Sequence, residues 1–166
     1  MKKWMLTLVA AACLTSACGV FSETPSERKT REAHEATLVA QNVKAGDFTI
    51  DITRMYPLRG SSKSVSSYSV TVKDGKLTSH LPYIGQAWKV KYGGGNALSF
   101  DDVEIAEYQV STPRKDSYLV RIRVKTDEDD FVYVFTIFEN GNTSLDVQSV
   151  NRDRISYSGE MDFSEE

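Results

Sequence analysis

The chain is poor in the residues that hold metals or attack substrates, with only two histidines and two cysteines in 166 positions. Catalytic zinc takes three protein ligands, usually with closely spaced histidines. His34 and His80 stand far apart, so no metal is expected and no cofactor is assigned. An excess of positive charge is also missing. Lysine plus arginine total 20 against 23 aspartates and glutamates, a formal charge of −3 that leaves no basic footprint for nucleic acid. No apolar run approaches the roughly 20 residues that cross a bilayer as a helix. No repeat recurs at a fixed period, which argues against a propeller or solenoid. What is present is an ordinary globular mixture, 40% apolar and 26% charged, in a length that suits one domain with a sizeable core.

The first residues carry an export pattern. Met1-Lys2-Lys3 gives a positive start, Trp4 to Ala12 a short apolar run, and Leu14-Thr15-Ser16-Ala17-Cys18 an ending with small residues before a cysteine. This ending resembles a bacterial lipobox. In such signals cleavage falls before the cysteine, here Cys18, whose sulfur takes a diacylglycerol. Two alternatives stay open: the similar Val9-Ala10-Ala11-Ala12-Cys13, which leaves a very short apolar region, and plain secretion. With Cys18 as anchor, residues 1–17 form the signal and the mature chain keeps no free thiol for a disulfide, metal or nucleophile. The expected location is the cell envelope, anchored to a membrane through Cys18 on a periplasmic or outer-membrane face. Each buried acyl methylene contributes about 0.8 kcal/mol, so several chains hold firmly.

Residues 18–46 read as a lipidated tether and one helix. Thr24-Pro25-Ser26-Glu27 supplies a cap, a proline at the first helical position and a capping-box glutamate; the helix is expected from Pro25 to about Asn42, with Gly46 just beyond its end. The apolar face is thin (Ala33, Ala36, Thr37, Ala40, Val43), which suits a lightly docked spacer. From Asp47 the periodicity becomes two. Phe48, Ile50 and Ile52 alternate with polar residues; Tyr68, Val70 and Val72 do the same, and Asp74-Gly75 signals a tight hairpin. Val103–Ser111 and Tyr118–Thr126 read as further strands. Phe131–Phe138 is apolar on both faces, the pattern of a strand covered on both sides in the middle of the assembly. The expected β-domain spans 47–163. Its fold class is all-β, an antiparallel sandwich or partly open barrel of about nine strands preceded by one N-terminal helix.

Four segments, Tyr56-Pro57-Leu58-Arg59-Gly60, Leu81-Pro82-Tyr83-Ile84-Gly85-Gln86-Ala87, Asn140-Gly141 and Arg154-Ile155-Ser156-Tyr157-Ser158-Gly159, together resemble the bacterial domain-of-unknown-function family 4251. The likeness runs from about Asp47 to Met161. It implies an exported or lipoprotein setting and brings no activity, substrate or catalytic residue with it. Physical reasons for the segments still exist. Pro82 cannot donate to a sheet ladder, and Gly85 permits a turn that a side chain resists. Tyr83, Trp88 and Tyr92 therefore fall in a segment that leaves the sheet and returns, close to His80. These four are the candidate ligand contacts; the competing reading makes the aromatics a cap on one end of the core.

No catalytic set emerges. His34 sits on a charged helix, and His80 lies beside Ser79 without a nucleophile elbow. Asp127-Glu128-Asp129-Asp130 lacks the pattern of a calcium loop and reads as a solvated hairpin turn. Asp101, Asp102 and Glu104 offer carboxylates without a fixed spacing across the fold. Gly93-Gly94-Gly95 lacks the lysine and helix of a phosphate loop. Arg121 and Arg123 read as an exposed charged strand face. The leading reading is thus a non-enzymatic, lipid-anchored envelope protein that binds a small ligand or an envelope protein. The alternatives are an assembly subunit held by strand addition at an open edge, and a hydrolase using carboxylates or His80.

Overall fold

The computed structural model describes residues 24–87 and 98–164. Thr24 takes the extended conformation of an N-cap, and α1 runs Pro25–Ala45. The capping box closes in both directions: Glu27 N–H donates to Thr24 Oγ1 at 3.4 Å, and Thr24 N–H donates to Glu27 Oε2 at 2.9 Å. At the other end Gly46 adopts φ 70° and returns its N–H to Asn42 and Val43 carbonyls, a termination that favours glycine. The early turns are exposed and carry i,i+4 pairs such as Arg28–Glu32 and Arg31–Glu35. Only Val39 and Val43 are buried, and the Tyr108 hydroxyl donates to the Val43 carbonyl at 2.5 Å. The last turns therefore dock, while the first ones bury nothing.

Eight strands follow: β1 (Phe48–Pro57), β2 (Lys63–Lys73), β3 (Lys76–His80), β4 (Ser99–Arg114), β5 (Ser117–Lys125), β6 (Asp130–Phe138), β7 (Asn142–Ser149) and β8 (Ile155–Met161). Each pairs antiparallel with the next, and β8 pairs with β1, closing a barrel in sequence order. The expected all-β class with one N-terminal helix stands. Among the described residues the strands number eight, close to the nine expected, and the barrel is closed rather than partly open. The seam explains the closure. Gly159 faces Ile52 where β1 bulges, and a Cβ there would run into the Asp51 carbonyl oxygen. Only a residue without a side chain lets β1 and β8 approach this closely. With both flanks of every strand paired, the open edge that strand addition requires is missing among the described strands.

Alternating side chains fill the interior, as the width of an eight-stranded barrel dictates. Ile50, Val72, Leu77, Ile122, Phe135 and Leu145 are fully shielded. The rings of Phe131, Tyr133 and Phe135 succeed one another down β6, with centroids 6.4 and 6.3 Å apart, and Phe48 meets Phe135 edge-on at 5.7 Å. The outward set of β6 corrects the two-sided reading of that strand. Val132, Val134 and Phe138 are half-buried on the barrel wall, with no second sheet over them among the described residues. Instead Val134 stands between Arg121 and Asp146, and Val132 between Arg123 and Gln148. Long polar neighbours cover this apolar strip, which is why a one-layer wall tolerates it.

Val39 and Val43 belong to the same buried cluster as the barrel interior, which reaches to Met161. The chain from Thr24 onward thus holds a complete core and folds as one unit. Up-and-down winding divides the connections between two ends. The helix and the β2–β3, β4–β5 and β6–β7 turns lie at the lower end. The β1–β2, β5–β6 and β7–β8 connections and the described ends of the β3–β4 connection lie at the upper end. At the lower end the Asp74-Gly75 hairpin has positive φ at both residues, 52° and 73°, the tight-turn geometry its sequence predicts.

Candidate functional site

The upper mouth of the barrel is closed by the segment Leu81–Ala87, a strap that is one of the four segments carrying the family resemblance. Leu81 and Leu98 are fully buried and joined by an N–H···O bond of 3.0 Å. Beneath them lie the polar groups of an otherwise apolar core. Tyr133 donates to Ser79 Oγ at 3.0 Å, and Ser79 donates to the Leu98 carbonyl at 2.9 Å. Tyr157 donates to the Pro82 carbonyl at 2.7 Å. Proline leaves its own nitrogen without a proton, but its carbonyl here satisfies a buried phenol. Burial pushes the Tyr133 and Tyr157 phenols far above their usual range, so both act as neutral donors.

The strap is fastened to the β7–β8 connection. Tyr83 hydroxyl donates to the Gln86 carbonyl at 2.9 Å and lies 3.3 Å from that of Asp153. Gln86 N–H reaches the Asp153 carboxylate at 3.1 Å, while Asp153 N–H donates to the Gln86 carbonyl at 3.0 Å. Gly85 leaves room for the Tyr83 hydroxyl, since a Cβ would sit 2.5 Å from it. Burial, then the Asp153 carboxylate, raise the Tyr83 phenol pKa.

Arg152 completes the fastening. Its guanidinium carbon lies 5.9 Å from the Tyr83 ring centroid, and Nη2 donates to Glu128 Oε2 at 3.1 Å. Nε lies 3.8 Å from Asp129 Oδ2 and has no hydrogen-bond partner. Asp129 corrects the reading of its acidic run as a solvated turn, because its side chain is 1% exposed. Its carboxylate accepts from Ser149 Oγ at 2.6 Å, Asn151 Nδ2 at 3.0 Å and Asp130 N–H at 2.9 Å. Among the described residues no group of metal-holding side chains forms; Arg152 supplies the charge that this carboxylate faces.

Of the four candidate ligand contacts, Tyr83 and His80 lie among the described residues. Tyr83 packs against Arg152, and the space enclosed by Tyr83, Leu98, Phe131 and Ile155 has no room for a water molecule. His80 lies outside the barrel wall. Its Nδ1 is 3.3 Å from Ser99 Oγ, and its Nε2 is 3.0 Å from Asp101 Oδ1, with the imidazole 45% exposed. Ser79, its neighbour in sequence, points into the core, so the serine beside His80 is Ser99 from the facing strand. Trp88, Tyr92 and the Gly93–Gly95 run lie outside the described residues, as do Cys13 and Cys18. Sequence reasoning missed Arg152 and Asp129; a charged residue among polar and charged neighbours in a turn carries no signal of burial.

The fold and the fastened strap define a side-chain-filled, up-and-down β-barrel plugged at one end by a helix and at the other by a loop. The sequence profile of the family described as Domain of unknown function (DUF4251) matches residues 30–161, and the chain belongs to this family. The match begins inside α1, so the docked part of the helix is part of the family's domain. A crystal structure of a DUF4251 family protein from Bacteroides eggerthii DSM 20697 superposes with a TM-score of 0.60 at 16% identity. The superposition covers 80% of this chain and 90% of that one, and supports the fold alone. No match is found among curated proteins.

Proposed function

We propose that this protein is an exported, lipid-anchored envelope protein whose β-barrel binds a partner at its surface and does so without catalysis. The observation that carries this reading is the distribution of exposed apolar side chains. Tyr56, Leu58, Ile84 and Val150 all belong to strand ends or loops of the upper end, leaving Val110 as the other large exposed hydrophobic among the described residues. Such side chains gathered at one end mark a contact surface more often than chance scatter does. The filled interior favours contact at this rim over a ligand held inside the barrel. The anchor rests on Leu14-Thr15-Ser16-Ala17-Cys18. Labelling cells with a clickable palmitate analogue tests it: the reading expects incorporation that Cys18→Ala abolishes, and incorporation that survives the change refutes the anchor.

Two further readings each have a specific observation. A hydrolase gains support from the Ser99–His80–Asp101 arrangement, in which one ring nitrogen faces a hydroxyl and the other a carboxylate. Against it, Asp101 is 72% exposed, a solvated partner that positions a base weakly. Any hydrolytic activity found should fall at least a hundredfold in His80→Ala; activity that persists removes this version. A small-ligand site gains support from a groove of about 390 Å³ at the lower end, between Leu38 and Asn42 of α1 and Phe48, Thr71 and Phe163. A thermal-shift screen of envelope and nutrient compounds tests it, with a shift that Leu38→Trp removes as the expected result.

A further inference from the structure

The upper rim carries charge as well as apolar tips. From Arg54 to Ser64 the chain reads Arg-Met-Tyr-Pro-Leu-Arg-Gly-Ser-Ser-Lys-Ser, with three cations and no carboxylate, in a protein whose net charge is negative. Arg54, Arg59 and Lys63 are exposed, and none has an ion pair among the described residues. The register brings them together. Arg54 pairs with Ser64 and Met55 with Lys63 across β1 and β2, while Pro57 faces Ile155 at the start of β8, next to Arg154. Two carboxylates of β7 and the β7–β8 connection are engaged elsewhere. Asp146 holds Ser156 Oγ and lies 3.4 Å from Arg154, and Asp153 accepts the Gln86 N–H.

Between these cations protrude Tyr56, 41% exposed, and Leu58, 59% exposed; on the neighbouring loops Ile84 is 43% and Val150 78% exposed. The four tips sit on three separate segments that meet around Asp153–Ile155, so they form an interrupted apolar surface. A rigid protein surface meets such tips poorly, since it needs a matching set of pockets. A fluid apolar layer under a negatively charged surface accommodates each tip independently, with a tyrosine at its border.

We propose that the β1–β2 tip, with the Ile84 and Val150 loops beside it, is a membrane-contacting surface that recognises anionic lipid headgroups. This rests on the preceding reading in taking the upper rim as the working surface, and it names the partner. Leu58 and Val150 enter the headgroup layer, while Arg54, Arg59 and Lys63 face the phosphates. The contact is independent of the acyl anchor and holds the barrel in one orientation on a bilayer.

The test uses the folded unit from Thr24 to Glu166, which has no lipidation site, and sedimentation with vesicles of phosphatidylcholine alone or with phosphatidylglycerol added. Binding should require the anionic lipid and weaken as salt rises. Removing one cation, as in Arg59→Gln or Lys63→Gln, should weaken it about fivefold, and removing both about thirtyfold. Leu58→Ser should weaken binding without changing the salt dependence. Arg121→Gln, on the barrel wall, should leave it unchanged. All four positions are exposed, and an unaltered melting transition checks the fold. Equal binding to neutral vesicles, an equal loss in Arg121→Gln, or no vesicle binding overturns the proposal. Binding to soluble polyglutamate in the absence of vesicle binding also overturns it, and leaves the partner-binding reading standing with an acidic protein as partner. Absence of both, together with no protein crosslink from the rim in cells, overturns the two together.

Discussion

Arg152 is the residue whose removal most directly tests how the barrel mouth is held. Its side chain is 6% exposed, against the 1% exposed carboxylate of Asp129 and the partly exposed Glu128. Removing one partner of a buried ion pair usually costs about 3–5 kcal/mol, because the other charge is left buried. Two features reduce this here. Asp129 keeps three hydrogen bonds, from Ser149, Asn151 and Asp130. The orphaned Nε of Arg152 also disappears, relieving a desolvation penalty of about 1–3 kcal/mol. The stacking on Tyr83 is lost as well, about 1 kcal/mol at a partly buried site. Arg152→Ala should therefore lower stability by about 2 kcal/mol, read as a shift in urea midpoint at constant slope. Glu128→Gln should cost under about 1 kcal/mol, since its carboxylate is 35% exposed and screened. Hydrogen exchange at the Gln86 and Asp153 amides should accelerate in Arg152→Ala more than exchange in β6. A loss below about 0.5 kcal/mol, or a larger loss in Glu128→Gln, refutes the assignment of Arg152 as the fastening.

Three other perturbations probe separate parts of the architecture. Gly159→Ala places a methyl against the Asp51 carbonyl at the seam and should destabilise by about 3 kcal/mol or more, lowering the melting temperature by several degrees; a neutral outcome would mean the β1–β8 contact is not this close. Thr24→Ala removes the capping hydroxyl and should lose about 1 kcal/mol, with a small drop in helical circular dichroism that Thr24→Ser restores. Burial pushes the Tyr108 phenol up to about 12, while in the unfolded chain it ionises near 10. The unfolded state therefore loses its proton first: the stability this phenol contributes is constant below pH 10 and is lost between pH 10 and 12. Urea midpoints across that range should decline less steeply in Tyr108→Phe, and an unchanged slope contradicts the assignment.

The helix was legible to the residue at its start because the cap chemistry is local: Thr24, Pro25 and Glu27 act within one turn, and Gly46 ends the helix by backbone freedom alone. The strands were legible where alternation runs unbroken, as in β5. It fails where a bulge changes the phase. Past Ile52 the inward position moves from 54 to Met55, and between Ile105 and Glu107 the register with β5 shifts again. Barrel closure was not legible, because it depends on Gly159 meeting Ile52 across more than half the chain, and a glycine in a strand looks the same beside any neighbour. The strap was legible as a departure from the sheet, through Pro82 and Gly85, but its fastening was not. Arg152, Asp129 and Tyr83 come from three connections that only the closed barrel brings together. The same holds for Ser99, which joins His80 by strand pairing rather than by sequence proximity.

The central claim is that this protein works through the upper rim of a filled barrel. It is tested most directly by placing a photo-crosslinking residue at Leu58, Ile84 or Val150, and as controls at Arg121 or Ser144 on the wall, in cells producing the full chain. The account predicts adducts from the rim positions and none above background from the wall. Adducts confined to the wall, or equal from both, would contradict it.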